Sequence, residues 1–216
     1  MSEENIKKEI LSKLNPYGFK NLEDKDNQGN SALMFACLYN VSKSLGFQKK
    51  HWDYLIINSD LKHKAMNGWN SLAFVLVFNK SAKIELDEKI LNYIIDNSDG
   101  NFIYKNNRTA LFFSMKFNIY EKLQEPIKKM HDVLSEKNRQ ETFKQICISY
   151  KEQNLSEKDI LYVLYDLEFN ISPTTHKWLE EQKYDDILKM IEKRNVLWNL
   201  NQELSEENKS KNGFKI

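Results

Sequence analysis

The amino-acid sequence predicts an all-α protein made of stacked helical hairpins, and three observations carry that prediction. The first is a fixed repeat. "GNSALMFACLYN" (29–40), "GWNSLAFVLVFN" (68–79) and "NRTALFFSMKFN" (107–118) hold Leu33, Leu72 and Leu111 in step, 39 residues apart (72 − 33 and 111 − 72). Phe35, Phe74 and Phe113 keep the same spacing, as do Asn40, Asn79 and Asn118. A period of this length marks a repeat architecture. The second observation is apolar spacing at i, i+3 and i+4, the signature of one helical face. The third is scarcity of turn formers: 6 Gly and 3 Pro in 216 residues suit helices better than an all-β chain.

The elements follow in order. "ENIKKEILSKL" near the start reads as an unpaired helix covering the exposed side of the first repeat. Each repeat then consists of a turn, a short helix, a polar loop and a second helix. The second helices are also in register: "WDYLIINSD" (52–60) aligns with "LNYIIDNSD" (91–99), and Leu91, Ile94 and Ile95 correspond to Met130, Val133 and Leu134 in the third unit. Beyond the third unit the period is lost but the pairing rhythm continues. "QETFKQICISYKEQ" with "SEKDILYVLYDLEF" reads as a fourth pair, and "SPTTHKWLEEQ" with "YDDILKMIEKRNVLWNLNQEL" as a shorter fifth. Ser156, with Asp159 three residues on, and the Ser172-Pro173 step are helix starts. The expected organisation is one repeat domain over 1–204: a capping helix in 1–23, three units in 24–135 and irregular helix pairs in 136–204. A charged, flexible tail over 205–216 follows.

The opening of the first unit, "DNQGNSALMFACLYN" (26–40), resembles the ankyrin repeat. Asp26, Gly29, Leu33, Ala36 and Cys37 stand where that pattern has Asp, Gly, Leu and two small residues. Ser31 and Ala32 take its Thr and Pro positions. Asn40, Asn79 and Asn118 stand where a glycine closes the first helix, and Asn is the best non-glycine residue for a left-handed position. All three asparagines are therefore expected at positive φ. The opening glycine recurs as Gly68 and becomes Asn107. The sequence also departs from the family: its Thr-Pro-Leu-His tetrad is nowhere intact, the period exceeds the usual 33, and Asp26 becomes Ala65 and Tyr104. Another kind of helical-hairpin array remains open. The resemblance implies an ankyrin-like solenoid of about five units that binds proteins through its turn tips and inner helices.

The remaining composition narrows the chemistry. Lys+Arg 32 against Asp+Glu 31 leaves a net charge of +1, so no overall field draws the chain to nucleic acid or anionic lipid. No stretch approaches the ~18 apolar residues of a membrane span. The N-terminus lacks the basic start and apolar run of a secretory signal, so the expected location is cytoplasmic. The Lys-, Asn- and Ile-rich composition suits an AT-rich genome, which raises expression in, or delivery into, a host cell by a virus or intracellular bacterium. Cys37 and Cys147 sit in apolar helical patterns and read as buried thiols. His51, His63, His131 and His176 show no metal-ligand spacing, and no phosphate-binding or nucleophile motif occurs, so neither metal nor cofactor is expected. Glu180, Glu181, Asp185 and Asp186 read as solvated helix faces, and the short basic clusters at 49–54 and 61–70 offer little to a nucleic-acid strand.

The candidate partner-binding residues are those the repeat leaves free to vary. They are Asn27, Gln28 and Asn30 in the first unit, Met66, Asn67 and Trp69 in the second, and Lys105, Asn106 and Arg108 in the third. The aromatic column Tyr39, Phe78 and Phe117 joins them on an expected concave face, with Trp69 and Phe78 at its centre. The protein is thus expected to be a non-enzymatic, monomeric interaction module. The alternative is an enzyme or nucleic-acid-binding factor with a pocket in the irregular C-terminal half.

Overall fold

The computed structural model describes the backbone of residues 2–212, and their side chains apart from Lys105 and 206–212. The described residues form eleven α-helices with no β-strand, so the chain is all-α. They divide into two compact units, one ending at Thr142 and one beginning at Phe143. The division falls inside a helix that follows the third repeat.

In the first unit, α1 (Glu3–Leu14) packs on α3 (Lys49–Ile57), burying Ile10 and Leu14. Three inner helices, α2 (Ala32–Tyr39), α4 (Ser71–Ala82) and α6 (Ala110–Lys116), pack in succession. The outer helices α3, α5 (Glu88–Asn97) and α7 (Gln124–Asp132) do the same. Leu33, Leu72 and Leu111 are all buried, each in the second position of its inner helix. An inner helix has neighbours on several sides, which is why its sequence is apolar all round.

The inner helices start in register because their caps do. The side chains of Ser31, Asn70 and Thr109, 39 residues apart, accept the backbone N–H groups of Met34, Ala73 and Phe112. Each satisfies one donor that the first turn leaves orphaned. In α3 the cap is less usual: Gln48 N–H donates to Nδ1 of buried His51 at 2.9 Å. That assigns the imidazole proton to Nε2, 3.1 Å from Glu9 Oε2. Lys50 Nζ reaches the same oxygen at 2.9 Å.

The helix ends correct the reading of the three asparagines. Only Asn118 is left-handed, at φ 56°. Asn40 has φ −51° and Asn79 lies inside α4. The left-handed residues in the first two repeats are Ser44 and Lys83, again 39 apart. At all three ends the next residue, Leu45, Ile84 or Ile119, donates its N–H across the turn to Asn40, Asn79 or Ser114 and buries its own side chain. This is the Schellman closure with its apolar contact. The left-handed residue stands four past the asparagine in units one and two, and is the asparagine itself in unit three.

Asn40 instead ties two repeats together. Its Nδ2 donates to Ala82 O at 2.7 Å, and its Oδ1 accepts from Phe47 N at 2.9 Å. Asn79 has no equivalent partner, since α6 ends early, and it turns back on Leu76 O. Val133 also departs from expectation. It caps α7, is 42% exposed, and lies over Gly100, where a Cβ would stand 2.9 Å from its Cγ2.

Helix α8 (Glu136–Lys151) begins in the first unit, where Asn138 Nδ2 donates to Asn101 O at 2.7 Å and the hydroxyls of Thr109 and Thr142 meet at 2.9 Å. Within the second unit, α9 (Glu157–Leu161) starts at the Ser156–Asp159 capping box and runs into a π-helical turn, Tyr162–Asp166. α10 (Pro173–Glu181), capped by Ser172, packs on α11 (Asp185–Asn212). The last helix continues eight residues past the expected end of folded structure at 204 (212 − 204), into the charged stretch. Residues 213–216 of the expected tail lie outside the described residues.

Candidate interaction surface

The candidate surface is built from the turns that precede the inner helices. In the first, Asp26 accepts the N–H groups of Gln28 and Asn30 on Oδ1 at 2.9 and 2.8 Å, while Gly29 takes φ 72°. In the second, Ala65 N–H donates to Trp69 O at 2.9 Å and Gly68 takes φ 84°. In the third, Tyr104 N–H donates to Arg108 O, and Asn107 stands in the glycine's position at φ 56°. A left-handed tip is what these positions share, and Asn is the side chain that tolerates it best.

The first two tips are also bonded to each other. Met66 N–H donates to Gln28 O at 3.1 Å, and His63 Nε2 lies 2.7 Å from Gly29 O. A carbonyl can only accept, so Nε2 of His63 carries the proton. A Cβ at Gly29 would stand 3.2 Å from Met66 Cγ, so the close approach adds a second reason for glycine. Between these tips lies a hollow of about 490 Å³ lined by Asn27, Gln28, Asn30, Met66 and Asn67. Met66 is 80% exposed, and Asn27, Gln28 and Asn67 are exposed beside it.

Other candidates are placed differently. Asn30 is buried and donates Nδ2 to Asp26 Oδ2 at 2.9 Å, so it fixes the turn and is not presented outward. Trp69 is half-buried among Phe74, Tyr104 and Phe113, with ring centroids 5.3–6.2 Å away. Trp69, expected at the centre of a binding face, is therefore also part of the packing. Asn106 is exposed, Arg108 folds back over the Phe112 ring at 5.2 Å, and the side chain of Lys105 lies outside the described residues.

Tyr39, Phe78 and Phe117 are half-buried about two turns along the inner helices, roughly 12 Å along the axis from the tips at 1.5 Å per residue. Tyr39 leans on Phe35 at 4.6 Å and Phe78 on Phe74 at 5.9 Å. Phe117 instead borders a hollow of about 400 Å³ with Asn79, Ile84, Leu86, Ile119 and Leu123. That hollow lies where α6 stops five residues short of the in-phase end of α4 (121 − 116). Sequence comparison of the repeats missed it; the available signal was that Leu45 and Ile84 are in phase while Ile119 is not.

The ionisable groups considered in the sequence are engaged within the fold. The basic cluster at 49–54 is matched by acids: Lys49 Nζ lies 3.0 Å from Asp53 and 2.8 Å from Asp87, and Lys50 meets Glu9. In the second cluster Lys64 faces Asp99 at 3.8 Å and covers the Phe102 ring. Burial pushes the thiols of Cys37 and Cys147 up, which keeps them protonated. Glu180 and Glu181 pair with His176 and Lys177 one helical turn away, and Asp185 and Asp186 occupy the first turn of α11. No group of three or more His, Cys, Asp or Glu side chains placed to hold a metal ion occurs among the described residues. No helix there is long and apolar enough to cross a membrane.

In the second unit a shallow hollow of about 140 Å³ is bordered by Tyr150, Lys151, Lys183, Tyr184, Asp185 and Asp186. It adjoins an open hollow of about 300 Å³ lined by Tyr150, Glu157, Asp186, Lys189, Met190 and Lys193, at the lower end of the roughly 300–1,000 Å³ that ligand pockets enclose. Comparison of the chain with protein-family models, curated proteins and solved structures finds no match.

Proposed function

We propose that this chain is a non-enzymatic interaction module, an ankyrin-like stack of helical hairpins that binds a protein partner through its turn tips. The stacking order α2–α4–α6 and α3–α5–α7, the in-phase caps and the hydrogen-bonded tips support the architectural part of this reading. The single observation that carries the functional part is Met66. It is a large apolar side chain, 80% exposed, on a backbone fixed by its bond to Gln28 O. Methionine adapts its shape to a partner surface, and the amides of Asn27, Gln28 and Asn67 around it can both donate and accept. A pre-ordered tip lowers the entropy cost of association.

The test is affinity capture with the full chain and with Met66→Arg/Asn67→Arg, followed by mass spectrometry. Both side chains are exposed, so the variant is expected to keep its helical circular dichroism while losing a specific captured protein. Capture of the same proteins in the same amounts by wild type and variant defeats the reading. Trp69→Ala is a poor probe here, because its truncation also removes packing.

A further inference from the structure

Helix α11 carries an apolar seam that nothing else in the described chain covers. Ile191 is the last buried residue among its described side chains, and 21 further helical residues follow (212 − 191). Among them Val196, Leu197, Leu200 and Leu204 are 59%, 44%, 48% and 57% exposed. Helices in proteins owe most of their stability to packing of an apolar face, and an exposed apolar cluster marks an interaction site. At 100° per residue these four side chains share one side of the helix, distinct from that of Ile187 and Ile191, which face the rest of their unit. Leu197, Leu200 and Leu204 fall at i, i+3 and i+7, the alternation of a coiled-coil seam.

The charge pattern selects the occupant. Residues 188–195 carry Lys189, Lys193 and Arg194 against Glu192, a net of +2 (3 − 1). Residues 201–208 carry Glu203, Glu206 and Glu207 with no cation, a net of −3. The two segments are placed symmetrically about Trp198. Antiparallel pairing of two identical helices sets +2 against −3 at both ends, with Leu200 of one copy beside Val196 of the other. Parallel pairing sets like charge against like.

We propose that the seam at residues 196–204 pairs antiparallel with the same segment of a second copy of this chain, forming a reversible homodimer. The expectation of a monomer does not take this seam into account.

Sedimentation equilibrium of the full chain, from micromolar to near-millimolar concentration, tests the pairing. The expected result is a species of twice 25.7 kDa that dissociates on dilution. Leu197→Glu/Leu200→Glu is expected to remain monomeric throughout. Both positions are exposed, and an unchanged thermal transition by circular dichroism verifies that the variant folds. Orientation is read from charge reversal: Lys193→Glu and Glu203→Lys each weaken the dimer about threefold to tenfold, and the double reversal restores it. A mass of 25.7 kDa at every concentration overturns the proposal. So does a dimer that survives the double glutamate variant, and a dimer strengthened by Lys193→Glu indicates parallel pairing and overturns the orientation.

Discussion

Lys83 holds a left-handed backbone position at φ 56°, exposed, with no ring contact or ion pair of its own. A side chain pays about 1–2 kcal/mol there and glycine does not, although glycine's freer unfolded chain returns part of that. Lys83→Gly is therefore expected to stabilise by about 0.5–1 kcal/mol in urea denaturation. Asn79, inside α4, behaves in the opposite sense: Asn79→Ala is expected to melt above Asn79→Gly, which costs about 1 kcal/mol relative to alanine in a helix. Asn40→Ala leaves Ala82 O and Phe47 N–H short of a partner and is expected to cost about 1–3 kcal/mol. Three asparagines in one repeat column thus do three different jobs. Sequence showed that they are equivalent in phase; the length of the helix around each one decides its backbone.

At the scale of the element, Asn70 shows how a cap takes on a second task. It caps α4 and also accepts the buried hydroxyl of Tyr104 on the same Oδ1. Ser31→Ala is expected to cost about 0.5–2 kcal/mol, and Asn70→Ala more than Ser31→Ala, because the Tyr104 hydroxyl is orphaned as well. Chemical denaturation of the two variants side by side compares them. The entry to α3 carries a pH signature. The hydrogen bond from Lys50, and then the His51 imidazole beside it, hold Glu9 below its ordinary value of 4.5, at about 2. A depressed carboxylate contributes stability that is present above pH 4.5 and lost as pH falls toward 2. The melting temperature of Glu9→Gln is expected to vary less with pH than that of wild type across that window.

On the scale of the first unit, a leucine column runs through successive inner helices. Leu72 is fully buried in α4, which packs on both α2 and α6, and Leu72→Ala is expected to cost roughly 2–5 kcal/mol. Trp69→Ala removes a half-buried ring from a cluster of three others and is expected to destabilise as well, by about 1–3 kcal/mol. Thermal melts of both variants measure these costs. Equal melting of Leu72→Ala and wild type would remove the leucine column as a source of stability.

The sequence by itself determined the helical class, the 39-residue phase, the buried leucines and the caps at Ser156 and Ser172. These depend on spacing and on bonds made within a few residues, so local pattern is sufficient to read them. That Asn27, Gln28, Met66 and Asn67 stand exposed on the turns was legible too, because a repeat exposes the positions it does not constrain. Tertiary structure alone decided that Asn30 turns inward to Asp26 and that Trp69 is packed among three rings, since each needs a partner the one-dimensional pattern does not rank. It also decided that Asn40 reaches Ala82, 42 residues away. The hollow beside Phe117 and the uncovered seam of α11 belong to the same class. Each arises where one helix is shorter or longer than its neighbours, and the space between helix ends is set by packing rather than by any single segment's sequence.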